Sequence, residues 1–158
     1  MDIYARWLIG GTSPINGDVT ATGWARWLDL NTYSLVLDAE SIGRVGAVGT
    51  VTFSLQYQSG VPELSRVLAK RSVSTVSLVT TTGLGNPRRE LPLVEYGFTG
   101  VTMTRFAHDG VSGQDRPTFA GAFSYTKVDI KQTSYDLRNG VKTGEQRASL
   151  DIAQAIFT

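Results

Sequence analysis

The sequence contains no cysteine, a single histidine and no long apolar run. Without cysteine the chain can form no disulfide, thiolate nucleophile or cysteine-ligated zinc site. With His108 as its only histidine it also lacks the usual ligands of a transition-metal site, and no calcium-type loop of oxygen ligands is present. We therefore expect no metal and no cofactor. No window approaches the roughly 20 apolar residues of a membrane-spanning helix, so we expect no membrane insertion.

The charge is almost balanced, with 15 Lys and Arg against 14 Asp and Glu. A net charge of +1 creates no overall field that would attract nucleic acid or an anionic membrane. At 158 residues the chain is long enough to bury a hydrophobic core and too short for two ordinary domains. We therefore expect residues 1–158 to form a single domain.

Most of the sequence has the alternating pattern of β-strands. The clearest alternation is Thr50–Tyr57, which has apolar residues at odd positions and polar ones at even positions. In Trp27–Asp38 the alternation changes phase, which predicts a β-bulge near Asn31. With these two segments, about eight strands are predicted, in an antiparallel β-barrel or sandwich. The others are Asp2–Leu8, Thr75–Thr81, Leu91–Tyr96, Thr99–Ala107, Phe119–Gln132 and Ala148–Phe157.

The segment VPELSRVLAKRS, residues 61–72, predicts one short flanking α-helix. Leu64, Val67 and Leu68 form an apolar stripe at helical spacing, and Pro62 suits the first helical position. Lys70 and the following arginine complement the negative end of the helix dipole.

The connection from Asp38 to Gly49 is much longer than two neighbouring strands need. It contains three glycines and isolated apolar residues, which indicates an extended loop. Such a loop is either functional or merely floppy, and the residues alone leave both open.

The sequence offers little for catalysis. His108 lies beside Asp109, but a Ser-His-Asp hydrolase would need a nucleophile turn, and no G-x-S-x-G motif occurs. We expect His108 to cap a loop. No pair of carboxylates suits glycoside hydrolysis, so we do not expect an enzyme, and a hydrolase using His108 and Asp109 is the remote alternative.

Five cations would form one basic patch if the helix lay beside the turn TTGLGNPRRE. They are Arg66, Lys70, Arg71, Arg88 and Arg89. That arrangement would suit a monomeric, oligonucleotide- or oligosaccharide-binding barrel of OB type. Because aromatic residues do not alternate with these cations along any strand, we expect no nucleic-acid partner.

Two segments resemble a known family. GDVTATGWARWLDLNTYSL, residues 17–35, resembles without a gap a stretch of the hemolysin-coregulated protein (Hcp) family, the tube subunits of type VI secretion systems. Gly17, Thr20, Gly23, Trp27 and Ser34 match that pattern identically.

PTFAGAFSYTKVDIKQT, residues 117–133, is similar to a later strand of that family, with identities at Pro117, Thr118 and Lys127. Between the two segments, VPELSRVLAKRSVSTVSLVT resembles the helix and strand of the family, and ASLDI resembles its closing strand. The resemblance thus covers nearly the whole chain in order.

The resemblance implies a non-enzymatic β-barrel that assembles into hexameric rings, which stack into the inner tube of a contractile secretion machine. Sheath, spike or baseplate, and effector proteins are the implied partners. The implied location is the bacterial cytoplasm during assembly, followed by secretion without a signal peptide. A tail-tube protein of a phage or of another contractile injection system shares this design and is an alternative.

The resemblance also suggests three kinds of assembly residue. The loop carrying Asp38, Ile42, Arg44, Val45 and Val48 matches the extended loop that contacts neighbouring subunits in the family. Ser34 is the candidate lumen-facing position, and Arg66 and Lys70 form the candidate outer face of the helix.

Overall fold

A computed structural model describes the backbone of residues 1–158 and all side chains except that of Ser41. Over this described chain there are two helices, α1 (Ala39–Ile42) and α2 (Val61–Lys70), and ten strands. The strands are β1 (Asp2–Ile9), β2 (Ser13–Ile15), β3 (Leu28–Leu35), β4 (Gly49–Leu55), β5 (Ser74–Leu84), β6 (Arg89–Asp109), β7 (Thr118–Tyr125), β8 (Lys127–Tyr135), β9 (Lys142–Asp151) and β10 (Ile156–Phe157).

The antiparallel sheet closes on itself. The hydrogen-bonded order β6-β5-β1-β3-β4-β7 returns to β6, because β7 pairs with the second half of β6. The first half of β6 pairs with β8, which carries β9 and β10 as an extension of the sheet. The predicted fold class is therefore confirmed: a mainly β structure with a flanking helix and an extended loop.

The long ribbon made by β6, β7 and β8 corrects two strand predictions. The segments predicted as separate strands before and after Gly97 form a single strand of 21 residues. The segment predicted as one strand, Phe119–Gln132, is divided at Thr126 into β7 and β8, which keep nearly the same register against β6. The interruption lies where Thr126 packs against Gly100, whose φ of +65° favours glycine and where a side chain would collide with Thr126.

The bulge predicted near Asn31 is confirmed. The pairing of β3 with β4 shifts between Leu30 and Thr32, so Leu30 and Tyr33 both face the interior. The additional residue adjusts the phase of the strand, as a β-bulge does.

The helix α2 covers one end of the core. Leu64 and Val67 are buried, and Leu68 packs against the core from a half-buried position. The N-cap is Gly60, with φ of +95°, so Pro62 lies one residue later than the predicted first position. A side chain at Gly60 would collide with the Asn16 carbonyl, which explains why this cap carries none.

The core centres on a group of aromatic rings inside the closed sheet. Phe123 contacts three of them, with ring centroids 5.5 Å from Trp7, 6.0 Å from Phe53 and 5.2 Å from Phe98. A second, smaller cluster lies outside the ring, where the segment between β2 and β3 packs over Tyr4 and Val79. Within the described chain, neither helix has the length and apolar character needed to cross a bilayer.

Candidate assembly surfaces

Ser34 lies on an exposed, hydroxyl-rich face of the sheet. The register places Ser34 opposite Thr52, Thr52 opposite Ala122, and Ala122 opposite Arg105. We call this surface the hydroxyl face and define it by Thr32, Ser34, Thr50, Thr52, Ser54, Ala120, Ala122, Ser124 and Arg105. Its members alternate with the buried residues of β4 and β7, so the sheet presents small, polar, nearly uncharged side chains to solvent.

Arg105 is a member of the hydroxyl face that the sequence did not reveal. Val101 and Met103 are buried, so strict alternation would have turned Arg105 inward. A register shift between Met103 and Arg105 instead places the arginine opposite Ala122, on the exposed side. Bulges commonly redirect a side chain in this way, and they leave little signal in a single sequence.

The loop between β3 and β4 is more ordered than its composition indicates. Asp38 caps α1 by accepting a hydrogen bond from the Glu40 N–H at 3.0 Å. Ile42 is half-buried against the core. The Gly46 N–H donates to the Ala153 carbonyl at 2.6 Å, so the loop tip is tethered to the turn between β9 and β10.

The other predicted residues of the loop are exposed. Arg44 lies beside Val45, which is 83% exposed, and Val48 is 53% exposed. The anchored loop thus presents two aliphatic side chains to solvent.

A cavity of 270 Å³ lies between the base of this loop and the sheet. Its lining includes Ser34, Asp38, Ile42, Val48 and Tyr125. Tyr125 is fully buried, and its hydroxyl has no hydrogen-bond partner among the described residues. Burial raises the pKa of Tyr125 to about 12.

On α2, Arg66 and Lys70 are exposed, as predicted for its outer face, and Arg66 forms an ion pair with Glu63. The basic patch proposed for a binding module is not formed. The turn carrying Arg88 follows β5, whose 11 residues separate it from the end of α2 by roughly 35 Å of extended chain. The two groups of cations therefore lie at opposite ends of β5.

A second depression, of 580 Å³, lies on the exposed face of β5, β6, β8 and β9 beside Trp27. Charged residues cross it in a network: the Lys131 Nζ lies 3.4 Å from a Glu95 carboxylate oxygen and 3.8 Å from one of Glu145. The Lys142 Nζ lies 2.6 Å from the Glu145 carboxylate, which Arg147 also contacts. The two ion pairs of Lys131 join β8 to β6 and to β9, and they were not visible in the sequence because register decides them.

The ion pairs of Glu145 predict a dependence of stability on pH. Hydrogen bonds from Lys142 and Arg147 lower the pKa of Glu145 to about 2, from an ordinary 4.5. Because the folded-state pKa is the lower one, the stabilisation is present above about 4.5 and is lost as the pH falls through about 2. We expect Glu145→Gln to lower the melting temperature at pH 7 and to have a much smaller effect near pH 2.

Thermal unfolding followed by circular dichroism across this range would measure the difference. Gln146→Ala, an exposed neighbour on the same strand, is the matched control and should show no trend with pH. A difference for Glu145→Gln that is constant from pH 7 to pH 2 would contradict the assignment.

His108 does not cap a loop as predicted. Its Nε2 lies 3.0 Å from the Ser65 hydroxyl of α2, and its ring packs edge-on against Phe106 and Phe119. The Ser65 hydroxyl also donates to the Val61 carbonyl at 3.1 Å. These contacts attach the helix to the end of β6, which is a structural use of the histidine.

Glu90 shows a similar structural use of an ionisable group. Burial alone would raise its pKa, but hydrogen bonds from Thr81 at 2.6 Å and Tyr4 at 2.7 Å outweigh burial and lower the pKa of Glu90. The carboxylate thereby joins the start of β1 to β5.

By sequence, no protein-family model and no curated protein match the chain. By structure, 51 solved chains match it. One, described as a type six secretion system protein, superimposes with a TM-score of 0.80 at 18% identity and covers 99% of each chain. A type VI secretion system effector from Yersinia pestis gives 0.73 at 18% identity over 96% of this chain and 100% of that one.

Hcp1 from Salmonella typhimurium gives a TM-score of 0.69 at 14% identity and covers 96% of each chain. These similarities extend over nearly the full length of both partners, including the extension formed by β8 and β9. They confirm, at the level of three-dimensional structure, the resemblance that the sequence segments indicated. The protein has the fold of the Hcp proteins of type VI secretion systems.

Proposed function

We propose that this protein is a tube subunit of a type VI secretion system, whose copies form hexameric rings that stack into a hollow tube. The observation that carries the proposal is the match of the whole chain to solved Hcp structures, with 96% of each chain covered in the Salmonella protein. The wall of a tube needs one surface that faces the lumen and other surfaces that contact neighbouring subunits. The hydroxyl face and the exposed loop are two surfaces of different character that suit these two roles.

The closed sheet suits a repeating assembly. A ring forms when one surface of a subunit binds a different surface of the next copy, and when the rotation from each copy to the next brings the last copy back to the first. The β9–β10 edge and the loop between β3 and β4 lie outside the closed ring of strands, so neighbours can cover them without unfolding the core. We propose that residues 1–158 act as one domain and that the protein has no enzymatic activity.

Assembly in the bacterial cytoplasm and export with the tube follow from this role. One structural neighbour is described as the secreted protein Hcp3 from Pseudomonas aeruginosa. Sheath, spike or baseplate, and effector proteins are the proposed partners. A phage tail-tube role would use the same surfaces. The monomeric binding module loses its main support, because the five cations do not form one patch.

The proposal is tested by the mass of the purified protein in solution. Size-exclusion chromatography with light scattering, at tens of micromolar protein, should give a particle of six chains of 17.1 kDa each, or a multiple of it. A single chain at every concentration would refute the tube role and favour the binding module.

The orientation of the hydroxyl face gives a separate prediction. Because the chain has no cysteine, Thr32→Cys introduces a unique thiol on the hydroxyl face. Thr32 is exposed and lies on the same face as Ser34, but it does not line the loop-base cavity. In assembled tubes we expect this thiol to react with a small maleimide and to be almost fully protected from a maleimide on a long polyethylene glycol chain, because the polymer is too large to enter the lumen. Thr143→Cys, at an exposed position of β9, is the control and should react with both reagents. Equal reaction of Thr32→Cys with both reagents in tubes would place the hydroxyl face, and Ser34 with it, on the outside.

A further inference from the structure

The cavity at the base of the loop has one apolar wall and one polar wall. The apolar wall is formed by Val36, Leu37, Ile42 and Val48 beside the Tyr125 ring, and the polar wall by Ser34, Asp38, Thr50 and Thr52. A side chain at Gly49 would collide with the Tyr125 ring, so the glycine allows that ring to reach the cavity. The buried Tyr125 hydroxyl lacks a partner among the described residues, and a buried donor without an acceptor is costly.

The tip of the same loop carries an exposed apolar side chain of a size that suits the cavity. Val45, at 83% exposure, is the most exposed of the large apolar side chains described. It lies outside the lining of its own chain's cavity, and the hydrogen bond from Gly46 to Ala153 holds the tip in place. The chain therefore presents an apolar tip and an open cavity that it does not bring together.

The charged side chains beside the loop tip and in the cavity are of opposite sign. Arg44 precedes Val45 and is exposed, whereas Asp38 lines the cavity and is also exposed. Neither forms an ion pair among the residues that the structure describes. The Asp38 carboxylate accepts a hydrogen bond from the Glu40 N–H through Oδ1, which leaves its other oxygen for a cation.

We propose that Val45 of one copy inserts into the loop-base cavity of a neighbouring copy, where Arg44 pairs with that copy's Asp38. The inference rests on the proposed function, because it identifies the partner as a second copy of this chain. The contact joins two different surfaces of the subunit, so each copy offers a tip to one neighbour and a cavity to another. Such a contact propagates from copy to copy, as stacking of subunits requires.

Disulfide cross-linking tests this contact directly, because the natural chain has no cysteine. Val45→Cys and Thr50→Cys are prepared as separate proteins, mixed and oxidised. A disulfide forms only when two Cβ atoms come within about 3.5–4.5 Å. We expect a cross-linked dimer in the mixture and none in either protein alone. Val45→Cys mixed with Val111→Cys, another exposed valine, is the matched control.

The contact would be overturned if the mixture cross-linked no more strongly than the control. It would also be overturned if Val45→Cys cross-linked with itself, because that would show a contact between two loop tips. Rings or tubes of the natural chain without cross-linking of the mixture would refute the contact and leave the tube role standing. A natural chain that stays monomeric, together with a cross-linking mixture, would support the contact and refute the tube.

A second experiment reverses the charges of the proposed ion pair. We expect Arg44→Glu to weaken association by about tenfold or more, and Asp38→Lys in the same chain to restore it in part. Asp38→Asn, which keeps a capping side chain, should weaken association without disturbing α1. Unchanged association of both single variants would contradict the ion pair.

Discussion

Replacement of residues 42–48 by a Gly-Ser linker of equal length is expected to leave the chain folded and to abolish the stacking of rings. The closed sheet does not include this segment, so the fold should survive. The loss of packing by the half-buried Ile42 and Ala47 should cost about 1–2 kcal/mol of the free energy of unfolding. Stacking should fail because the variant loses the tethered tip and the wall of the cavity together.

Circular dichroism would measure the fold of this variant, and sedimentation with electron microscopy would measure its assembly. The segment 110–116, between β6 and β7, has the same length and is the matched control for linker replacement. The control variant should still stack. Intact tubes in the 42–48 variant, or equal loss in both variants, would show that the loop has no specific role.

Truncation of the central core ring, Phe123→Ala, is expected to give the largest loss of stability. Phe123 is 1% exposed and contacts Trp7, Phe53 and Phe98 edge-on or at a tilt. Removing a buried phenylalanine typically costs about 3–5 kcal/mol, because transfer energy is lost and a cavity remains. For a chain of this size the melting temperature should fall by about 6–20 °C.

Urea unfolding with a tryptophan fluorescence signal would measure the change. Phe157→Ala, at a ring that is 44% exposed, is the control and should change the free energy of unfolding by no more than about 0.5 kcal/mol. Equal losses for the two variants would mean that the core is not centred on Phe123.

The parts of the fold that the sequence predicted depend on local patterns. The alternation in β4 identifies its buried face, the change of phase at Asn31 predicts the bulge, and the stripe of Leu64 and Val67 predicts the covered face of the helix. Each signal lies within a few residues of the feature that it predicts, so one sequence is sufficient.

The parts that escaped prediction depend on residues distant in sequence. The register of β6 against β7 sets the direction of Arg105, and the tether from Gly46 ends 107 residues later, at Ala153. The interruption at Thr126 depends on its packing against Gly100 in another strand. Composition and periodicity carry no information on such pairs.

The residues predicted to take part in assembly also divide into those whose environment agrees with the prediction and those whose environment differs. Exposure of Ser34, Arg44, Val45, Arg66 and Lys70 agrees with the surface roles predicted for them. Ile42 differs, because it packs against the core of its own chain as well as lining the cavity. The cavity and the buried Tyr125 hydroxyl arise where the loop meets the end of β7, and no segment of sequence contains both.

The central claim is that the copies of this chain form rings. Negative-stain electron microscopy of the purified protein, at concentrations where light scattering detects association, tests it most directly. We expect rings of six subunits with an open centre, and stacks of such rings at higher concentration. Compact particles of one chain at every concentration, with no central opening, would contradict it.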